Sequence, residues 1–143
     1  MLENILQYKL IISIIITAIV SQTIKIILHT LKDKKGISLN DFIVTGGMPS
    51  THSAIVSALF VMLLIEKGLT ELTVISFVLF VIVITDSMGV RRTAGEEGST
   101  INKIIKMEKL KIDELHYARG HKPKEVIAGI VIGFFVALLI FLI

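Results

Sequence analysis

Two histidines in this chain stand where an apolar run begins, and each has neighbours suited to phosphate chemistry. The first lies in Gly46-Gly47-Met48-Pro49-Ser50-Thr51-His52-Ser53. Pro49 suits a first helical turn, Ser50 or Thr51 can cap it, and the unpaired N–H groups with the positive end of the dipole attract an anion. His52 falls in the same turn, where it could deliver a proton to a departing oxygen. The second lies in Gly120-His121-Lys122-Pro123-Lys124-Glu125. With Pro123 near the first helical position, Glu125 sits in the first turn and can reach back toward His121, as the acid of a capping box does. A carboxylate on one ring nitrogen fixes the tautomer and leaves the other nitrogen for nucleophilic attack. The helix dipole opposes protonation of His121 and Glu125 favours it, and sequence alone does not decide between them. Each segment also has a plainer reading, as a glycine turn or a helix cap beside an incidental histidine.

A third segment, Thr85 to Gly95, carries Asp86, Arg91 and Arg92. Guanidinium groups bind phosphate oxygens through several planar donors, and Asp86 can orient one of them, although paired arginines are also ordinary at a cytoplasmic helix end. Gln22, Lys25, His29 and Lys32 recur at helical spacing, so they form one polar stripe that should face the bundle interior or a wet cleft. Cysteine is absent, which removes disulfides, thiolate metal sites and a cysteine nucleophile. No cofactor or metal is called for.

These residues need elements to position them, and the composition says which kind. A mean hydropathy of +0.82 and 53% hydrophobic residues against 19% charged place the 143-residue chain with integral membrane proteins. The expected fold is all-α, a polytopic helical bundle forming one membrane-embedded domain over residues 1–143. A bilayer core of roughly 30 Å calls for spans of about 20 residues. Four are expected, at Tyr8–Leu31, Ser50–Ile65, Leu69–Thr85 and Val126–Ile143, the second short for a full crossing. The first run is too long for a signal-peptide core and lacks a small-x-small cleavage site, so it reads as a retained helix. Glu66, Lys67 and Gly68 alone separate spans two and three, which should form a tight hairpin.

Lysines and arginines concentrate in the connections at about residues 32–49 and 86–125. By the positive-inside rule these face the cytoplasm and both termini lie outside. The net charge of +3 then reflects topology and anionic headgroups, with no nucleic-acid partner. Between Thr100 and Tyr117, apolar residues alternate with lysines, as in an amphipathic helix on the membrane interface or a lid. Gly129, Gly133 and Ala137 on span four, and Ser53, Ala54, Ser57 and Ala58 on span two, are small faces for close helix packing.

Together these segments resemble the type 2 phosphatidic acid phosphatase superfamily, most closely its small divergent bacterial and plant branch. The superfamily uses K-x6-R-P, then P-S-G-H, then S-R followed by H-x3-D. Lys25 with Lys32 and Asp33 is a degraded first motif, and Pro49-Ser50-Thr51-His52 matches the second with Thr for Gly. His121 and Glu125 match the end of the third with Glu for Asp, while Arg91 and Arg92 stand far upstream, as if the intervening loop had expanded. Gly46-Gly47-Met48-Pro49-Ser50, Asp86 with Gly89-Val90-Arg91-Arg92, and Gly120-His121 with Pro123, Glu125 and Val126 carry the divergent branch's own pattern.

The resemblance implies that His121 attacks phosphorus, Glu125 orients it, and His52 protonates the leaving alkoxide and later activates water. Lys25, Arg91 or Arg92, and the backbone around Ser50 and Thr51, with Gly47 and Asp86 in support, would hold the phosphoryl oxygens. The superfamily fold usually has six helices; four motif-bearing helices would suffice here or a second copy would complete the bundle. The leading expectation is a metal-independent phosphatase of a lipid phosphate or pyrophosphate at the cytoplasmic face of the cell membrane. The alternatives are a lipid-phosphate-binding or transport-linked protein without turnover, and a membrane scaffold.

Overall fold

A computed structural model describes residues 2–33, 47–117 and 120–143. Its described residues form five helices: α1 (Leu2–Asp33), α2 (Thr51–Lys67), α3 (Glu71–Met88), α4 (Val90–Met107) and α5 (Pro123–Leu142). Gly46 and most of the basic connection expected at about residues 32–49 lie outside the described residues.

The helix α2 is the centre of the bundle and touches α5, α1 and α3. Its contact with α5 depends on missing side chains. A Cβ on Gly129 would lie 2.3 Å from the Ser50 carbonyl oxygen, and one on Gly133 would lie 2.1 Å from that of Ala54. In a bilayer, where lipid is as apolar as leucine, such backbone approach supplies the dispersion contacts that hold helices together. Ser57 adds a hydrogen bond from its Oγ to the Ile130 carbonyl at 3.0 Å. Farther along, Ala58, Val61, Met62 and Ala137 form a buried cluster against which Leu10 of α1 packs. Many other large apolar side chains, among them Ile15, Ile19, Phe77, Val78, Phe135 and Leu139, are exposed, as a lipid-facing surface requires.

Among the described residues three stretches are long and apolar enough to cross a membrane, Tyr8–Leu31, Glu71–Met107 and Pro123–Leu142; the span expected at Ser50–Ile65 is not one of them, because α2 has only 17 residues. The stretch Glu71–Met107 would be about 55 Å long as continuous helix, well beyond a hydrocarbon core of roughly 30 Å. Its apolar part is α3, whereas α4 carries Arg91, Arg92, Glu96, Glu97, Lys103 and Lys106, which keep it at the polar boundary. Gly68 at φ +65° ends α2, Thr70 caps α3 through the Thr73 N–H, and the expected hairpin results. The C-terminal end of α1, the N-termini of α2 and α5 and the C-terminal end of α3 share one side of the bundle. At the other side, Lys9 Nζ donates to the Phe141 carbonyl at 3.2 Å.

The structure departs from expectation in three further places. The connection at 86–125 contains a helix that begins at Val90 and stops at Met107, so the amphipathic helix expected over Thr100–Tyr117 is displaced toward the N-terminus. The segment after it folds back, because Asn102 holds the Leu115 backbone from both sides, Nδ2 to O at 2.9 Å and N to Oδ1 at 2.8 Å. Pro49 precedes the cap residue Ser50 and lies outside the first turn of α2. On α1 the fully buried face is Ser13, Thr17 and Ser21, continued by Lys25, whereas Gln22 and His29 are half-buried beside it.

Candidate functional site

The start of α5 is built around Glu125. Its Oε2 accepts from the Lys122 N–H at 3.1 Å and meets His121 Nδ1 at 3.3 Å. Lysine has no side-chain acceptor, so this is the acidic half of a capping box alone. The His121 N–H donates to the Ser87 carbonyl at 3.0 Å, which pins the turn before α5 to the end of α3. The ring is buried, at 5% exposure. Burial holds its pKa below the ordinary histidine value, and the Lys25 charge acts in the same direction; the hydrogen bond and charge of Glu125 and the Gly47 carbonyl oppose this. Desolvation outweighs the carboxylate, so the neutral ring is favoured, the form a nucleophile needs.

The start of α2 is locked to the same place. Ser50 is fully buried, its N–H donates to the Glu125 carbonyl at 2.9 Å, and its Oγ accepts from the Ser53 hydroxyl at 2.9 Å and the Ser53 N–H at 3.4 Å. The Ser50 amide, counted among the phosphate-holding groups from sequence, is therefore spent on joining α2 to α5. Thr51 Oγ1 donates to Gln22 Oε1 at 3.2 Å and ties α1 to the same end. The first-turn amides of Thr51 and His52 have no helical acceptor and keep the anion-attracting character of a helix start. His52 itself is exposed.

Arg91, His121 and Lys25 lie near enough to His52 to act on its ring electrostatically. Lys25, at 6% exposure, also lies within the field of Glu125. His52, His121, Glu125, Lys25 and Arg91, from α1, α2, the start of α4 and the start of α5, are thus linked by electrostatic reach into one cluster. Asp86 is paired with Arg91, accepting on Oδ2 from Nη2 at 2.9 Å and Nε at 3.2 Å, which orients that guanidinium. Arg92 Nε donates to Glu96 Oε1 at 2.9 Å, and Arg92 lines a cavity that His121 lines too. Gly47, at φ +82°, makes the turn that carries its carbonyl to His121.

Sequence reading missed the Ser87 carbonyl and the role of Gly120. A Cβ on Gly120 would meet the Arg92 Cα at 2.3 Å, so the turn before His121 rests directly on α4. The glycine before His121 was the visible signal for that approach.

The model of the family described as Divergent PAP2 matches residues 6–136. The chain belongs to the Divergent PAP2 family. The uncharacterized membrane protein YuiD of Bacillus subtilis (strain 168) is similar, 38% identical over 112 residues that cover 67% of this chain and 71% of that protein. No solved structure matches. The Divergent PAP2 match takes in both histidine-bearing helix starts, the arginine pair and the Lys25 stripe.

Proposed function

We propose that this Divergent PAP2 protein is a metal-independent phosphatase of a membrane lipid phosphate, working through a phosphohistidine at the cytoplasmic face. The observation that supports the reading is Glu125 on Nδ1 of the buried His121, with Lys25 and Arg91 within electrostatic reach of the second histidine, His52. Glu125 faces Nδ1 and the Gly47 carbonyl is also at the ring; this reading assigns the chemistry to Nε2. Its lone pair attacks phosphorus, the bond from phosphorus to the lipid oxygen breaks, and His52 gives that oxygen a proton. Water then attacks the phosphohistidine, with His52 taking the proton back, and inorganic phosphate leaves. Lys25, Arg91 and the first-turn amides of α2 offset the charge on the equatorial oxygens, an electrostatic contribution that buried, pre-placed donors make most strongly.

Purified protein in detergent, given short-chain phosphatidic acid or polyprenyl phosphate without added metal, should release phosphate in a vanadate-sensitive way. His121→Ala and His52→Ala should each abolish release; equal release from all three proteins would mean a contaminant. One observation favours a second reading, lipid-phosphate binding without turnover. The Ser50 amide and the Thr51 hydroxyl, both near where oxygens would sit, already have partners. Binding of lipid phosphate that depends on Lys25 and Arg91 with no phosphate release would favour it.

A further inference from the structure

The chain leading into His121 meets α4 at points that run in opposite order along the two. Asn102 holds the Leu115 backbone, Gly98 carries Tyr117, Arg92 carries Gly120, and the His121 N–H reaches the Ser87 carbonyl just before α4 begins. We infer that Asn102 is a positioning residue for His121, acting through this antiparallel run to hold the imidazole against Glu125. Its role rests on the proposed phosphatase reading, which it extends to a residue remote from the reacting atoms.

The glycine contacts set how closely the two pieces approach. A Cβ on Gly98 would meet the Tyr117 ring at 2.7 Å and one on Gly120 the Arg92 Cα at 2.3 Å, so a side chain at either place would push them apart. Such contacts have little direction and leave the register open. Asn102 closes it, since its Nδ2 donates to the Leu115 carbonyl at 2.9 Å while its Oδ1 accepts from the N–H of the same residue at 2.8 Å. A side-chain amide matched to both backbone groups of one residue selects that residue. The same helix carries Arg91 in its first turn, oriented by Asp86, so α4 sets two members of the cluster at once. Asn102 stands eleven residues beyond Arg91, about 16 Å along the helix.

His121 is sensitive to such placement. Its contact with Glu125, at 3.3 Å, is near the outer limit of a hydrogen bond, so a shift of a few tenths of an ångström would break it. The plain alternative is a clamp that closes a surface loop and leaves the imidazole untouched. The groups facing the ring separate the two: Glu125 of α5, Lys25 of α1, His52 of α2 and the Gly47 carbonyl. Burial is the largest influence and holds the ring below the ordinary histidine pKa. A turn released from α4 admits water, the pKa rises toward its ordinary value, and the acid limb of the pH–rate profile moves toward alkali. A loop clamp has no such effect.

The test uses the full chain in neutral detergent with short-chain phosphatidic acid, and amide hydrogen exchange of the same proteins without substrate. Asn102→Ala should lower kcat between about tenfold and 10²-fold, the scale of misplacing a group by about 1 Å, with KM within about twofold. Its acid limb should move toward alkali. Gly98→Ala, which displaces Tyr117 from the helix, should move both quantities the same way. Lys106→Ala removes only the exposed pair with Glu114, at 3.0 Å, and should stay within about twofold of the unaltered protein. In Asn102→Ala exchange should quicken over residues 120–122 as well as 113–117, with α2 and α5 unchanged. An undiminished kcat, a rate lowered equally at every pH, or exchange that quickens around Leu115 alone would overturn the positioning role and leave the phosphatase reading intact. If the unaltered protein shows no His121-dependent turnover, that reading fails and exchange over 120–122 decides alone; no change there in Asn102→Ala would reject the role.

Discussion

At the scale of single residues, the account turns on how burial and one carboxylate share control of His121. The ring's pKa lies below the usual histidine value because desolvation outweighs Glu125. A lowered pKa keeps the imidazole neutral to lower pH, so the acid limb of the pH–rate profile should fall below that of an exposed histidine. Glu125 raises the pKa of the ring, so Glu125→Gln should shift that limb further toward acid while lowering the rate roughly 10²-fold through loss of orientation. A pH–rate series on both proteins checks the sign, and a limb that moves toward alkali would contradict the assignment. Lys25 is a second point of control. Lys25 is buried within electrostatic reach of His52, so Lys25→Met should leave the helices in place yet lower kcat by about 10²–10³, the scale seen on removing one pre-placed donor to a developing anion. Circular dichroism alongside kcat would separate the two effects.

Helix-level packing explains why the two histidine turns meet. The starts of α2 and α5 are joined by the Ser50 N–H on the Glu125 carbonyl, and below it by glycines that let the α2 backbone approach. Gly133→Leu should cost about 1–3 kcal/mol by overpacking against Ala54 and Ser57, whereas Ile127→Ala, on the exposed face, should cost much less. Thermal unfolding in detergent measures both; equal shifts would remove the close-packed seam from the account. This seam was legible in sequence, because small residues at intervals of four on two apolar runs admit few other uses. The Glu125 reach to His121 was legible too, since capping chemistry acts over three or four residues. What was not legible depends on contacts between distant segments. Nothing local to Ser50 indicated that its amide would be spent on α5. Likewise, nothing in the lysine pattern from Lys103 onward showed that the helix starts at Val90, since charge period does not mark a start that no side chain caps.

For the whole molecule, the arrangement of ends makes a topological prediction. The candidate site lies at one side of the bundle and the Lys9–Phe141 contact at the other, so the two sides should differ in reagent access. The chain has no native cysteine, which makes single-cysteine labelling clean. In intact cells Leu69→Cys should react with an impermeant maleimide and Glu97→Cys should react only after permeabilisation, by the positive-inside rule; the reverse pattern would put the site outside. The all-helical membrane fold and the family were readable from hydropathy and three ordered motifs, whereas the different partners of Arg91 and Arg92, Asp86 and Glu96, needed coordinates. The central claim, that His121 becomes phosphorylated, is most directly tested by rapid quenching of the full-length protein with a phosphorus-labelled lipid phosphate. The account predicts an acid-labile, alkali-stable phosphoprotein whose label maps to His121 and is missing from His121→Ala. Phosphate release at an undiminished rate from His121→Ala, or label on another residue, would contradict it.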